Sequence, residues 1–309
     1  MAAHTRRPFK VGIQLPEVEW TAPWSEIKAM AQTAEAVGFD SLWFGEHLLY
    51  RYPGMEPRGP WECWTMMAAV AAATARVEIG PLVACTSFHN PAHLAKMAAT
   101  LDEISGGRLI LGLGAGWHEP EYRAYGYPFD HRVARFEEAF TIIRTLLREG
   151  EIDFAGTYYS ARDCVLLPRG PRPTGPPLMV GSLGARMLQI TLPYVDAWNA
   201  WFADFGDKPD GLKAVLAKLD AACETAGRDP KSLERTAAIY IQLPGGTGRR
   251  GGDMVESPAE PLKGTPEEIA AGLRAYGDLG ISHIQIVLDP ITRQGIEDFA
   301  PLLEELDRG

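Results

Sequence analysis

Short apolar runs alternate with amphipathic helical stretches along the whole chain, and this rhythm constrains the fold more than any other feature. Residues 10–15 (KVGIQL) read as a buried strand. Trp24, Ile27, Met30, Ala31, Ala34 and Val37 then keep helical spacing. Thr21 is placed to cap that helix, Pro23 suits its first turn, and Gly38 stops it. The unit repeats: strand 41–47, helix 61–74, strand 77–84, a helix opened by Asn90-Pro91 and ended by Gly106-Gly107, strand 108–113, and helix 132–148. Further strands fall at 178–181, 195–198, 236–243 and 282–288, with helices at 208–226, after Thr265-Pro266, and at 295–307. Eight strands, each followed by a helix, predict a (β/α)₈ TIM barrel rather than a doubly wound sheet. The near-continuous apolar strands suit a parallel sheet buried on both faces.

Two stretches break the rhythm. Residues 154–159 (FAGTYY) read as half of a hairpin, and 168–177 is rich in Pro, Gly and Arg. The segment at about 153–176 is therefore an excursion from the barrel and not a domain boundary. Residues 244–263 are loop-like, and so long a stretch is usually functional or mobile. The expected organisation is a single barrel domain over 1–309 with these two insertions.

Composition narrows the partners. The formal net charge is −10 and no Lys/Arg stripe occurs, which argues against nucleic acid and against an anionic membrane surface. The first residues lack the apolar core of a signal peptide, and no apolar run reaches membrane-spanning length. Cys63, Cys85, Cys164 and Cys223 form no C-x-x-C pair and lie at no zinc spacing, so a reducing, cytoplasmic setting is expected. A small-molecule substrate fits these exclusions.

Barrel chemistry sits on the loops that follow the strands. The residues there include Glu17, Glu46, His47, Cys85, Thr86, Ser87, Asn199, Trp201 and Asp289. No metal-ligand constellation occurs among them, and no strand-end Lys suggests a Schiff-base aldolase. His47 is the histidine placed at the barrel mouth, where it can exchange a proton with a ligand; the alternative is a structural histidine held by a loop carbonyl. Gly181, Ser182, Leu183, Gly184, Ala185 and Arg186 join a strand to a helix. This suits an anion cradled by backbone N–H groups, and equally a tight turn with a surface arginine. Gly112, Gly114 and Gly116, with Ala115 and Trp117 beside them, suit a backbone that makes room for a flat ring or a chain.

Taken together, these segments resemble the bacterial-luciferase-like superfamily of barrel flavoproteins, and within it the oxidoreductases that use coenzyme F420. The resemblance covers nearly the whole chain. It is carried by 38–47 (GFDSLWFGEH), Asn90-Pro91 with 101–109 (LDEISGGRL), 111–117 (LGLGAGW) with Glu121 and Tyr122, Tyr125-Gly126 with Pro128-Phe129, 180–186 (VGSLGAR), and 195–199 (VDAWN). It implies a cofactor phosphate at Gly181 to Arg186 and a ring lined by Gly114, Ala115, Gly116 and Trp117. It implies His47 as an acid/base or orienting group facing that ring. It also implies a non-proline cis peptide near Ala84, Cys85 and Thr86. Some members acting on sugar phosphates have a glutamate where this chain has Trp117, so sugar-phosphate dehydrogenation is not expected.

The expected activity is hydride transfer between coenzyme F420 and a small organic substrate, with Glu46 and the 244–263 loop shaping the substrate side. The alternative is a monooxygenase using reduced flavin mononucleotide (FMN) from a partner reductase. A non-catalytic cofactor carrier is the reading from another class. The resemblance also implies a homodimer, for which the apolar helix 61–74 (WECWTMMAAVAAAT) offers a surface.

Overall fold

The structure, a computed structural model, describes residues 7–249 and 259–308. Eleven strands occur among the described residues: β1 Lys10–Gln14, β2 Ser41–Phe44, β3 Glu78–Pro81, β4 Ala84–Cys85, β5 Leu111–Gly114, β6 Glu151–Ala155, β7 Ser160–Val165, β8 Leu178–Val180, β9 Ala197–Ala200, β10 Glu234–Gln242 and β11 His283–Asp289. Nine of them form one sheet in the order β3-β2-β1-β11-β10-β9-β8-β5-β4, and every pairing in it is parallel. Strands β3 and β4 are two pieces of one stave, separated by Leu82 and Val83, so the nine strands supply eight staves. The sheet closes where Ile79 of β3 bridges Leu109, with Ile110 N–H donating to the Ile79 carbonyl at 2.9 Å. This is the expected TIM barrel.

Side chains follow that closure. Along β1, Val11 and Ile13 turn outward to the helices and are fully buried there. Gln14 points inward at the carboxyl end, as strand alternation requires. The helices behave largely as their sequences dictate. The Asn90 side chain accepts from Ala92 and His93 N–H, Pro91 takes the first helical position, and Gly106 closes the helix Pro91–Ser105 with φ 65°. Thr265 and Glu268 form a reciprocal capping box on helix Pro266–Asp278.

Some boundaries differ from expectation. Thr21 does not cap the first helix, which runs Trp24–Val37 with Pro23 as its extended N-terminal neighbour. Strand β2 stops at Phe44, so Gly45, Glu46 and His47 are loop residues at the mouth. The excursion is a full hairpin of β6 and β7, with one face exposed and the other, Ile152, Phe154, Ala161 and Cys164, packed against the core. Arg172 then pins the segment after it to the barrel: its guanidinium holds the fully buried Asp102 carboxylate and the Leu109 carbonyl. Of the 244–263 loop, residues 250–258 lie outside the described residues. On either side, Arg249 is buried and Leu262 bridges Ile241 of β10.

Candidate active site

A cavity of about 590 Å³ opens at the carboxyl ends of the strands, within the size range of small-molecule sites. Its walls come from the ends of β1, β2, β4, β5, β8 and β9 and the loops after them.

His47 lines this cavity, and its Nδ1 lies 2.9 Å from Glu121 Oε1. Glu121 is the third residue of helix Glu119–Tyr125 and is 1% exposed. Its other oxygen accepts from Leu48 N–H at 2.8 Å, so one carboxylate fixes both the His47 ring and the loop that carries it. A carboxylate only accepts, which places the imidazole proton on Nδ1. The ring is also packed between Tyr50 and Trp117, with centroids 4.4 and 5.6 Å away.

Glu46, the neighbour of His47, is committed to the protein. One oxygen accepts from Trp64 Nε1 and contacts His89 Nε2, both at 2.7 Å, and the other accepts from Cys85 N–H at 2.6 Å. It ties the loop after β2 to β4, just past the turn that follows β3. Its expected part in shaping the substrate side thus becomes one of holding the wall.

That turn contains a non-proline cis peptide, at Leu82–Val83 and not at Ala84 to Thr86 as the resemblance implied. Val83 then projects toward three glycines. A Cβ at Gly112 would come 3.0 Å from Val83 Cγ1, at Gly114 2.7 Å from Cγ2, and at Gly181 3.2 Å from Cγ1. These glycines therefore make room for Val83, and not only for a ligand. Gly116 serves a different need: it has φ 73°, and a Cβ there would strike the Tyr122 hydroxyl and Cys85 Sγ. Tyr122 donates to the Ala115 carbonyl at 2.7 Å and lies 3.0 Å from Cys85 Sγ. Burial pushes the Cys85 thiol up to about 12, overcoming its contact with Tyr122, so it stays a thiol at the cavity wall.

At the opposite end, Gly181, Ser182 and Gly184 line the cavity. Arg186 does not: it is exposed and pairs with Glu137 at 2.7 Å. The cation on this side is Arg132, which begins helix Arg132–Glu149, lines the cavity and donates to the Gly116 carbonyl at 2.6 Å. The remaining wall carries Gln14, Glu17, Tyr50, Trp201 and Arg249. Burial raises the Glu17 carboxyl, but His47, Arg249 and the Tyr50 hydroxyl outweigh it and hold Glu17 below the usual carboxylate range.

The profile of luciferase-like monooxygenases matches residues 6–243. The chain belongs to this family. Its relatives include a ketoreductase and a monooxygenase. A phthiodiolone/phenolphthiodiolone dimycocerosates ketoreductase of Mycobacterium tuberculosis is 32% identical over 253 residues, covering 76% of this chain and 64% of that protein. A pyrimidine monooxygenase of Cronobacter sakazakii is 35% identical over 173 residues, covering 54% of this chain and 50% of that protein. This chain thus spans less than two thirds of either relative's length. The solved structure of an F420-dependent secondary alcohol dehydrogenase with an F420–acetone adduct superposes with a TM-score of 0.78 at 22% identity, over 96% of this chain and 99% of the other. That likeness places this luciferase-like chain among TIM barrels.

Within this family member, the cavity gathers His47, Ala84, Cys85, Gly114, Ala115, Gly116, Trp117, Gly181, Ser182 and Gly184 of the residues expected from sequence. Thr86, Leu183, Ala185 and Arg186 stand behind or beside it. Thr86 instead donates to the Gly114 carbonyl at 3.3 Å. Sequence reasoning missed Arg132 altogether, because a first-turn arginine on a long helix carries no local signal. Glu121 was visible only as part of a motif, and nothing local paired it with a histidine 74 positions away. No helix among the described residues is long and apolar enough to cross a membrane.

Proposed function

We propose that this chain is a hydride-transfer oxidoreductase that uses coenzyme F420 and acts on a small organic carbonyl or alcohol. The observation that carries the reading is the His47–Glu121 pair in the cavity wall, beside a slot floored by Ala84, Gly114, Ala115 and Gly116. The residues present fit the cofactor. The small side chains of Ala84 and Ala115 leave the slot open to a flat ring, and the Ser182 hydroxyl and the Arg132 guanidinium supply donors for a phosphate. F420, when bound, supplies or accepts the hydride at its deazaflavin ring. The protein's own part is to manage the accompanying proton. With Nδ1–H directed to Glu121, Nε2 of His47 is the nitrogen that takes or returns a proton, and Glu121 stabilises the imidazolium formed. Trp117 and Tyr50 hold the imidazole plane while this happens. The ketoreductase relative and the alcohol dehydrogenase fold match both support carbonyl/alcohol chemistry.

The second reading is an FMN-dependent monooxygenase, supported by the pyrimidine monooxygenase relative. Titration of the purified protein with F420 and with FMN, followed by cofactor fluorescence, separates the two. The expected result is micromolar binding of F420 and much weaker binding of FMN; saturable binding of FMN alone refutes the first reading.

A further inference from the structure

In the cavity wall beyond His47, one arginine is held between two carboxylates. Glu17 sits in space kept open by Gly45, where a Cβ would lie 2.5 Å from its carboxylate. It receives Tyr50 Oη at 2.7 Å, Gln14 Nε2 at 2.8 Å and Arg249 Nη2 at 3.1 Å. The Arg249 side chain is 2% exposed and also meets Glu19 at 3.3 Å, with its guanidinium carbon 5.6 Å from the Trp201 ring centroid. Its backbone N–H is held by the Tyr240 hydroxyl at 2.8 Å. An arginine in a substrate cavity ordinarily recognises a carboxylate or phosphate. Here the protein's own carboxylates already occupy that role. Of the other cavity carboxylates, Glu46 and Glu121 are equally committed to protein donors, and Asp204 stands exposed at the rim. Gln14 is 4% exposed and lines the cavity, and its Oε1 has no hydrogen-bond partner. A buried acceptor of this kind carries a desolvation penalty that a ligand O–H or N–H relieves.

We propose that Gln14, Glu17 and Arg249 form a specificity wall, its arginine already held by Glu17 and Glu19, that selects an uncharged substrate bearing an O–H or N–H donor and rejects anions. This deepens the oxidoreductase reading by naming the substrate class of the same cavity. It excludes free carboxylic acids and phosphate esters, and favours neutral alcohols or hydroxylated carbonyl compounds with the donor directed at Gln14.

The test uses the full chain without added cofactor and three probes of one size: benzyl alcohol, benzoate and benzylammonium. Binding is followed by calorimetry and by fluorescence of Trp117 and Trp201, which line the cavity. Wild-type protein is expected to bind benzyl alcohol in the millimolar range and both ions more weakly. Glu17→Gln removes one of the two carboxylate charges that hold Arg249, leaving the Glu19 pair, and raises benzoate affinity about tenfold; Arg249→Met leaves Glu17 and Glu19 uncompensated and raises benzylammonium affinity about tenfold. Gln14→Leu weakens benzyl alcohol and leaves toluene unchanged. A merely structural role for these residues does not move the two ions in opposite directions, and either charge variant alone keeps the test decisive should the other fail to fold. Preference of the wild type for benzoate, no detectable benzyl alcohol binding, or unaltered ion affinities in the folded variants overturns the proposal. Because no cofactor is present, these outcomes are independent of whether F420 or FMN binds.

Discussion

Asp207 offers the sharpest test of the electrostatics of this fold. It follows the short helix Phe202–Phe205, on the segment that brings Trp201, Ala203 and Asp204 to the cavity. Its Oδ1 accepts from Tyr240 N–H of β10 at 3.3 Å, while Oδ2 is buried without a partner. Burial dominates over the backbone donors of Tyr240 and Leu262, and pushes the carboxyl up from 3.8 to about 8. The folded protein thus keeps a proton that the unfolded chain releases. The stabilisation this gives is complete below pH 3.8 and is lost as pH rises toward about 8. Each pH unit in that window removes up to about 1.4 kcal/mol, and the whole window on the order of 5 kcal/mol. Asp207→Asn removes the titration, keeps an acceptor for Tyr240, and tolerates the φ of 54° at this position. The unpaired amide of the variant costs about 1–3 kcal/mol at every pH, so the variant is expected to be less stable than the wild type by that amount at about pH 4 and more stable by at least about 2 kcal/mol at about pH 8. Urea unfolding followed by circular dichroism, on both proteins at matched pH, measures this. Taking the difference cancels every other titrating group. A difference that stays constant from acid to alkaline pH refutes the reasoning.

Other consequences are as direct. Glu121→Gln puts an amide against two N–H donors, at His47 Nδ1 and Leu48; on the proposed reading kcat/KM is expected to fall by about one to two orders of magnitude, with cofactor affinity little changed. Steady-state kinetics with a turned-over substrate checks this, and an unaltered kcat/KM removes Glu121 from the proton path. Arg172→Ala leaves the Asp102 carboxylate buried and unpaired, and is expected to destabilise the fold by about 3–5 kcal/mol in denaturant titration. Burial raises the thiols of Cys63, Cys85 and Cys223, with Cys85 reaching about 12, so brief iodoacetamide treatment near neutral pH should modify Cys164 and spare those three in mass spectra.

Much of the architecture was legible in local pattern. Hydrophobic periodicity located all eight staves, because a parallel strand buried on both faces and a helix buried on one leave different periods in the sequence. Caps at Asn90 and Thr265 and the stop at Gly38 were legible for the same reason: each satisfies backbone groups within a few residues. Thr21 failed as a cap although its residue type allows the role, since the helix begins beyond its reach at Trp24.

The site divides along the same line. That His47, the glycine loop and the 181–186 turn face one cavity follows from their positions at strand ends, which the barrel alone sets. Which side chains partner one another there does not follow. Arg132 and not Arg186 serves the cavity. Glu121 reaches His47 across 74 positions and Arg249 reaches Glu17 across 232. The clearings at Gly112, Gly114 and Gly181 are filled by Val83. The sequence by itself determined the strands, the helices and the rim on which chemistry could be placed, because those depend on neighbours along the chain. Only the closed barrel decided which charges meet, because ion pairs and buried acceptors depend on distances that barrel closure creates.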